Sequence, residues 1–183
     1  MFQEKKESGQ ERLFGEANVE EMEPRFLETV DLSEVCFVRL RPGEDLFATL
    51  TEIVKENNIE RASILSGIGS LCNVAFRDLK TGITLPVNVD KTNLMEEYGP
   101  YELLSLEGNV VPLVGEFAGL KDGDPVIHLH CTLGTAYGEL FGGHLFEATV
   151  FTTTELFLAK VKNSQVKKKQ SGVTGLTEMR NDI

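Results

Sequence analysis

The sequence lacks three features that would place the protein in a membrane or outside the cell. No run of apolar residues is long enough to span a bilayer, which needs about 20 residues. The first residues are charged rather than apolar, so we expect no secretory signal. Only three cysteines are present, an odd number at wide spacing, which argues against a disulfide framework and favours a reducing compartment. We therefore expect a cytoplasmic protein without membrane association.

Positive charge is also scarce. The 183 residues carry 18 Lys and Arg against 29 Asp and Glu, a formal net charge of -11. Residues 1–31 contain nine acids and four bases, whereas residues 160–183 contain six bases and two acids. The middle of the chain therefore has a net charge of -10. DNA affinity comes largely from cations that replace counterions on the phosphates, so DNA binding by this middle part alone is disfavoured.

Composition divides the chain into a folded middle and two tails. Residues 1–31 are acidic, polar and weakly periodic, so we predict a flexible N-terminal arm. Residues 163–183 are rich in Asn, Ser, Gln, Lys and Gly, and we predict a flexible basic tail with a solvated lysine run at 167–169. Residues 32–162 are predicted to form one domain, because a chain of this length buries roughly 70% of its unfolded surface.

The spacing of apolar residues predicts several strands and one main helix. Apolar residues between 46 and 54 recur at helical spacing, after acids that suit a helix start and before Asn57, which suits a helix end. Residues 80–82 indicate a hairpin turn, and the glycine-rich stretch 66–70 indicates a bend in a strand rather than a phosphate loop. Strand-like segments cover residues 35–40, 59–69, 74–79, 83–89, 101–110, 126–133 and 149–161. We predict an α+β fold with a mainly antiparallel sheet and one main amphipathic helix, because too few helices separate the strands for a doubly wound sheet.

All three histidines of the chain lie within residues 128–144. His128 and His130 are two positions apart on a predicted strand, so both side chains leave the same face. His144 follows the glycine pair 142–143, which lets the backbone bend or approach a neighbour closely. Three imidazoles that converge from a strand and a neighbouring loop are typical of a zinc site with a fourth position open for water or substrate. Iron, nickel or cobalt would accept the same ligands.

The alternative is that these are structural histidines, hydrogen-bonded in the core or at its rim. Cys131 points to the face opposite the neighbouring histidines, so we do not count it as a ligand. Cys36 and Cys72 are expected to be small buried hydrophobes. Glu102 and Glu107 are candidates for a general base or for hydrogen bonds to the histidines. Acids that alternate along a strand more often lie on its solvent-exposed face, which is the alternative for both residues. No catalytic base is identifiable, so the sequence leaves enzymatic turnover open.

Three stretches, taken in order, resemble the plant-and-prokaryote-conserved (PPC) domain, which is best known from plant proteins that carry it beside AT-hook DNA-binding motifs. The stretches are residues 62–70 with 73–78, residues 101–108, and residues 128–134 with 142–145. The resemblance covers about residues 33–162. It implies a compact α+β unit, a homotrimer and, as in the stand-alone prokaryotic members, a metal site at His128, His130 and His144.

Two departures from the plant members bear on DNA binding. No Arg-Gly-Arg-Pro AT-hook occurs in this sequence, and Pro100 stands where plant members often have an arginine. The sequence therefore contains no motif that would account for the DNA binding often attributed to the family.

The sequence thus predicts a small trimeric PPC-domain protein with one divalent metal per subunit, zinc or another transition metal, on the three histidines. The metal would bind a small anionic ligand or activate water as a Lewis acid. One alternative is a DNA-associated or transcription-related module that acts through the trimer and a partner. The other is a non-catalytic oligomeric scaffold.

Overall fold

The computed structural model describes Phe14, Gly15, Ala17 and residues 24–181. Most of the predicted acidic arm, residues 1–31, lies outside the described residues. Residues 24–30 contain no helix or strand, and the first strand begins immediately after them.

Residues 24–181 form eight strands and one α-helix. The helix, α1, spans Leu46–Glu56, and a short 3-10 helix at Val89–Lys91 precedes the third strand. The strands are β1 (Asp31–Leu40), β2 (Ala62–Leu79), β3 (Thr92–Glu97), β4 (Tyr101–Val114), β5 (Pro125–Gly134), β6 (Leu140–Lys162), β7 (Lys167–Gln170) and β8 (Thr177–Arg180). The predicted α+β class with a mainly antiparallel sheet is confirmed. No helix within the described ranges is long and apolar enough to cross a membrane.

Helix α1 begins and ends close to where the sequence predicts. The carboxylate of Asp45 accepts a hydrogen bond from the backbone N–H of Ala48 at 2.7 Å, which satisfies one of the free amides of the first turn. Asn58, just beyond the helix, adopts a left-handed φ of 52°. Leu46 and Leu50 are fully buried and join the core of the sheet.

Four strands pair in a closed ring. Strand β2 pairs with β4 and β6, and β5 pairs with the same two strands, all antiparallel. Strand β1 adds to β6 and β3 adds to β2. The ring contributes fully buried side chains to one core, among them Phe76, Leu106, Leu129 and Leu156. Each strand of the ring is therefore paired with a neighbour on both of its edges.

Strand β2 is one irregular strand of 18 residues, where the sequence predicts two strands. Its register against β6 shifts beside Gly69. A Cβ at Gly69 would lie 2.1 Å from the carbonyl oxygen of Thr153, so only glycine permits this approach of β2 to β6. The glycine-rich stretch is therefore a bend in a strand, as predicted.

The prediction of a strand at residues 83–89 is wrong. This segment lies in the loop between β2 and β3, and the sheet instead gains β3 at Thr92–Glu97, which the sequence analysis did not predict. Pro86 lies in the middle of the predicted strand and has no N–H to donate to a sheet ladder.

The C-terminal segment also differs from the expectation of an unstructured tail. Strand β7 pairs in parallel with the end of β4, and β8 pairs with β7. The prediction of a solvated lysine run is wrong at Lys168, which is 2% exposed, whereas Lys169 is exposed. Successive side chains of a strand point to opposite faces, so pairing of β7 with β4 buries one lysine of the run.

Candidate metal centre

The structure brings the three predicted histidines together. His128 and His130 leave β5 on the same face, and His144 on β6 is directly opposite His130 in the sheet register. The Nε2 atoms of His128 and His130 are 3.1 Å apart, and Nδ1 of His144 is 3.3 Å from Nε2 of His130. The three ligand atoms all lie within 4.8 Å of one another. One ring nitrogen from each histidine therefore faces a common point.

This donor set fits a divalent transition metal. Zinc–nitrogen bonds of 2.0–2.1 Å in a tetrahedral site separate two ligating nitrogens by about 3.3 Å. The two shortest separations in the cluster, 3.1 and 3.3 Å, match that value. Three imidazoles occupy three of the four positions of such a site, so one position stays open.

Two glycines allow β6 to approach its neighbours beside the cluster. A Cβ at Gly142 would lie 2.1 Å from the carbonyl oxygen of Cys131 on β5. A Cβ at Gly143 would lie 2.4 Å from a carboxylate oxygen of Asp78 on β2. Any larger residue at these positions would push β6 away from β5 or displace Asp78. The glycine pair therefore permits the close approach that the sequence analysis expected of it.

Asp78 positions the third histidine, and the sequence analysis missed it. The backbone N–H of His144 donates a hydrogen bond to Oδ1 of Asp78 at 2.9 Å. Burial and the neighbouring His130 lower the pKa of His144, and the charge of Asp78 partly opposes that shift. The two residues are 66 positions apart, so no local pattern connects them.

Lys168 is a further group of the site that the sequence analysis missed. Its Nζ lies 3.0 Å from Nδ1 of His128. Burial lowers the pKa of Lys168 to about 8. Burial first, and then the charge of Lys168, lower the pKa of His128 to about 4. His128 is therefore neutral near pH 7, which is the form that binds metals.

A small pocket opens beside His130. Its volume is about 460 Å³, and Ser105, Glu107 and Thr132 contribute to its wall. Glu107 is directly opposite His130 in the register of β4 and β5, so both side chains leave the same face of the sheet. Of the two glutamates considered from the sequence, Glu107 is therefore beside the cluster.

Glu102 is not at the cluster. It pairs with Gly134 near the other end of β5 and lines a separate cleft with Ile68 and Phe151. Asn109 on β4 is the residue that lies directly opposite His128 in the sheet register. Its Oδ1 is buried and has no hydrogen-bond partner among the described residues.

The cysteines are not part of the site. Cys131 is 6% exposed, lies in the apolar core, and burial raises the pKa of its thiol to about 12. Its side chain therefore leaves β5 on the face opposite His130, as predicted. Cys36 and Cys72 are half-buried rather than fully buried as the sequence analysis expected.

Comparison with known proteins shows the class of protein to which this chain belongs. Residues 28–162 match the family model of the Plants and Prokaryotes Conserved (PCC) domain, whose name is also written PPC. The chain belongs to this family, and the resemblance drawn from the sequence is confirmed.

Particular relatives are similar over most of the chain. A PPC protein of Pyrococcus horikoshii is 31% identical with a TM-score of 0.68, over 84% of this chain and 97% of that chain. A metal-containing protein of Archaeoglobus fulgidus is 27% identical with a TM-score of 0.68, over 85% of this chain and 99% of that chain. The bifunctional protein GlmU of a Synechococcus strain is 29% identical over 145 residues, 78% of this chain. The chain spans only 19% of the length of that GlmU protein.

Proposed function

We propose that this protein binds one divalent transition metal, zinc or a similar ion, on His128, His130 and His144. The observation that carries the proposal is the convergence of three ring nitrogens, with separations of 3.1 and 3.3 Å. The similar protein of Archaeoglobus fulgidus is metal-containing, which supports the proposal. A metal held there would supply a Lewis acid and one open position for water or a small anionic ligand.

The residues around the histidines suit this role. Burial lowers the pKa of His128 and of His144, so protons compete weakly for both rings near neutral pH. The hydrogen bond from the backbone N–H of His144 to the carboxylate of Asp78 ties β6 to β2 beside the cluster. The pocket beside His130 leaves space for a small ligand next to one of the three histidines.

The test is metal content per chain, measured by elemental analysis after dialysis against zinc and removal of free metal. The wild-type protein should retain about one zinc per chain, and the double variant His128→Ala, His130→Ala should retain almost none. The double variant Cys36→Ser, Cys72→Ser is the control for zinc held by thiols and should bind as the wild type does. Unchanged zinc content in the histidine variant would refute the proposal.

The homotrimer expected from the family resemblance is a second part of this proposal. Apolar side chains on β1 and β6 support self-association, because Val35, Phe37 and Phe157 are 58%, 59% and 46% exposed. The rings of Phe37 and Phe157 contact each other, with centroids 5.2 Å apart. Light scattering on the purified protein should give three times the chain mass of 20.3 kDa. A monomeric mass at micromolar concentration would contradict the trimer.

The DNA-associated alternative has less support than the metal site. Its grounds are the association of the family with DNA-binding proteins and the basic C-terminal tail, and Lys168 of that tail is buried beside His128. The scaffold alternative would gain support from a stable trimer that retains no metal.

A further inference from the structure

Resting on the proposed metal site, we infer that Arg77 binds the second anionic group of a ligand whose first anionic group reaches the metal. The ligand class is a small dicarboxylate, with one carboxylate at the metal and the other on the guanidinium group of Arg77. The juxtaposition that carries this inference is an arginine, held in place but without a carboxylate partner among residues 24–181, on the same face of the sheet as the three histidines.

The first step of the argument is the position of Arg77 on β2. Phe76 pairs with Leu145 in the register of β2 and β6, and both side chains lie in the core. Arg77 follows Phe76 and His144 precedes Leu145, so both leave the opposite, outer face of the sheet. The hydrogen bond between Asp78 and the backbone N–H of His144, at 2.9 Å, shows that the two strands run side by side here. Neighbouring strands are about 4.8 Å apart, so Arg77 stands one strand away from the cluster.

The second step is that two contacts hold the guanidinium group on this face. Its Cζ lies 4.6 Å from the centre of the Phe146 ring. Phe146 follows His144 by two positions on β6 and therefore leaves the same face. Nη1 of Arg77 also donates a hydrogen bond to Oγ1 of Thr92 on β3, at 3.3 Å. A side chain that is already held in this way loses less freedom when it binds a ligand.

The third step is charge. Arg77 is half-buried, and no carboxylate among residues 24–181 forms an ion pair with it. An arginine stays protonated at every physiological pH, so its charge does not depend on its surroundings. Thr92 uses only one of the several N–H donors of the guanidinium group. The planar fork of such a group binds a carboxylate through two parallel hydrogen bonds, so an oxyanion is the partner that suits this side chain.

The separation of the two positive groups indicates the class of ligand. A metal on the three histidines would have one open position, which takes one oxygen ligand. The guanidinium group lies over the Phe146 ring rather than over the ring nitrogens of the cluster, so it would bind a group beside the metal and not on it. A ligand with one carboxylate can use only one of these two positions. A short dicarboxylate uses both, and the link between its two groups increases the affinity.

The experiment uses acetate, succinate and glutarate as probes and Co²⁺ as a coloured substitute for zinc. Wild-type protein and the variants Arg77→Met, Arg77→Lys and Arg39→Met are loaded with Co²⁺ and titrated with each probe, and the visible absorption and the retained Co²⁺ are measured. Arg39 is the matched control, because it is an exposed arginine on β1, opposite Glu155 and outside the cluster. Wild type and Arg39→Met should bind one of the dicarboxylates at least about tenfold more tightly than acetate. Arg77→Met should lose this preference and Arg77→Lys should lose at least about threefold of it, while acetate affinity changes by less than about threefold in both.

Each other outcome decides against the inference. A preference for dicarboxylates that is equal in the wild type and the Arg77 variants, or absent from the wild type, would overturn it and leave the metal site intact. An equal loss of acetate and dicarboxylate affinity in the Arg77 variants would indicate a general effect of charge and would also overturn it. A wild-type protein that takes up no Co²⁺ would overturn both this inference and the proposed metal site. The use of two different Arg77 substitutions keeps the result independent of the folding of either one.

Discussion

The two faces of strand β5 have opposite environments. Leu129, Cys131 and Leu133 point into the core and are at most 6% exposed. The intervening side chains of His128 and His130 leave the other face, where His144 meets them. One strand thus carries both a packed core and an open polar cluster, because its side chains alternate between faces. The packed face explains how histidines near the surface can be held at fixed separations.

The largest effect is expected on the core face. Leu129→Ala removes a fully buried side chain and should lower the free energy of unfolding by about 3 kcal/mol. Thr132→Ala, on the same strand but on the cluster face, is the control and should change it by less than about 1 kcal/mol. Urea denaturation of both metal-free variants measures the difference. Similar losses in the two variants would show that the faces are not energetically distinct.

The second effect concerns the cluster face alone. Zinc at about 100 times its dissociation constant should raise the free energy of unfolding of the wild type by about 2.7 kcal/mol, if it binds only the folded chain. His128→Ala should remove most of this gain while it changes the metal-free stability little. Thermal melts with and without zinc measure both quantities. An equal gain in the variant would place the zinc elsewhere.

The third effect is the pH dependence of the metal-free protein. The pKa of His128 is about 4 in the fold, against an ordinary value of 6.5, so the unfolded chain binds more protons between these values. Stability is therefore complete above about pH 6.5 and should fall as the pH drops towards 4. His128→Gln should flatten this part of the profile. A wild-type stability that rises on acidification through this window would contradict the buried neutral state of His128.

Local signals made part of the molecule predictable. The apolar spacing of α1 with Asp45 before it, and the spacing of His128 and His130, each lie within a few residues of sequence. Strand alternation then places both rings on one face without knowledge of the rest of the fold. The fold class and the three histidines of the cluster could therefore be predicted.

The rest of the site depends on contacts between distant parts of the chain. Lys168 and His128 are 40 positions apart, and Asp78 and His144 are 66 apart. The composition around Lys168 is typical of a solvent-exposed tail. Lys168 is buried only because β7 pairs with β4. Neither residue has a local pattern that identifies its role, so the sequence alone could not place them.

The position of β7 has a consequence for how such a site can diversify. The strand follows the last residue of the family match, residue 162, and supplies Lys168 to a cluster whose histidines all lie within that match. Substitutions in the short strand β7 can therefore alter the charge beside the histidines, while the domain that contains the histidines stays the same. The charge next to His128 could then change while the three histidines themselves stay the same.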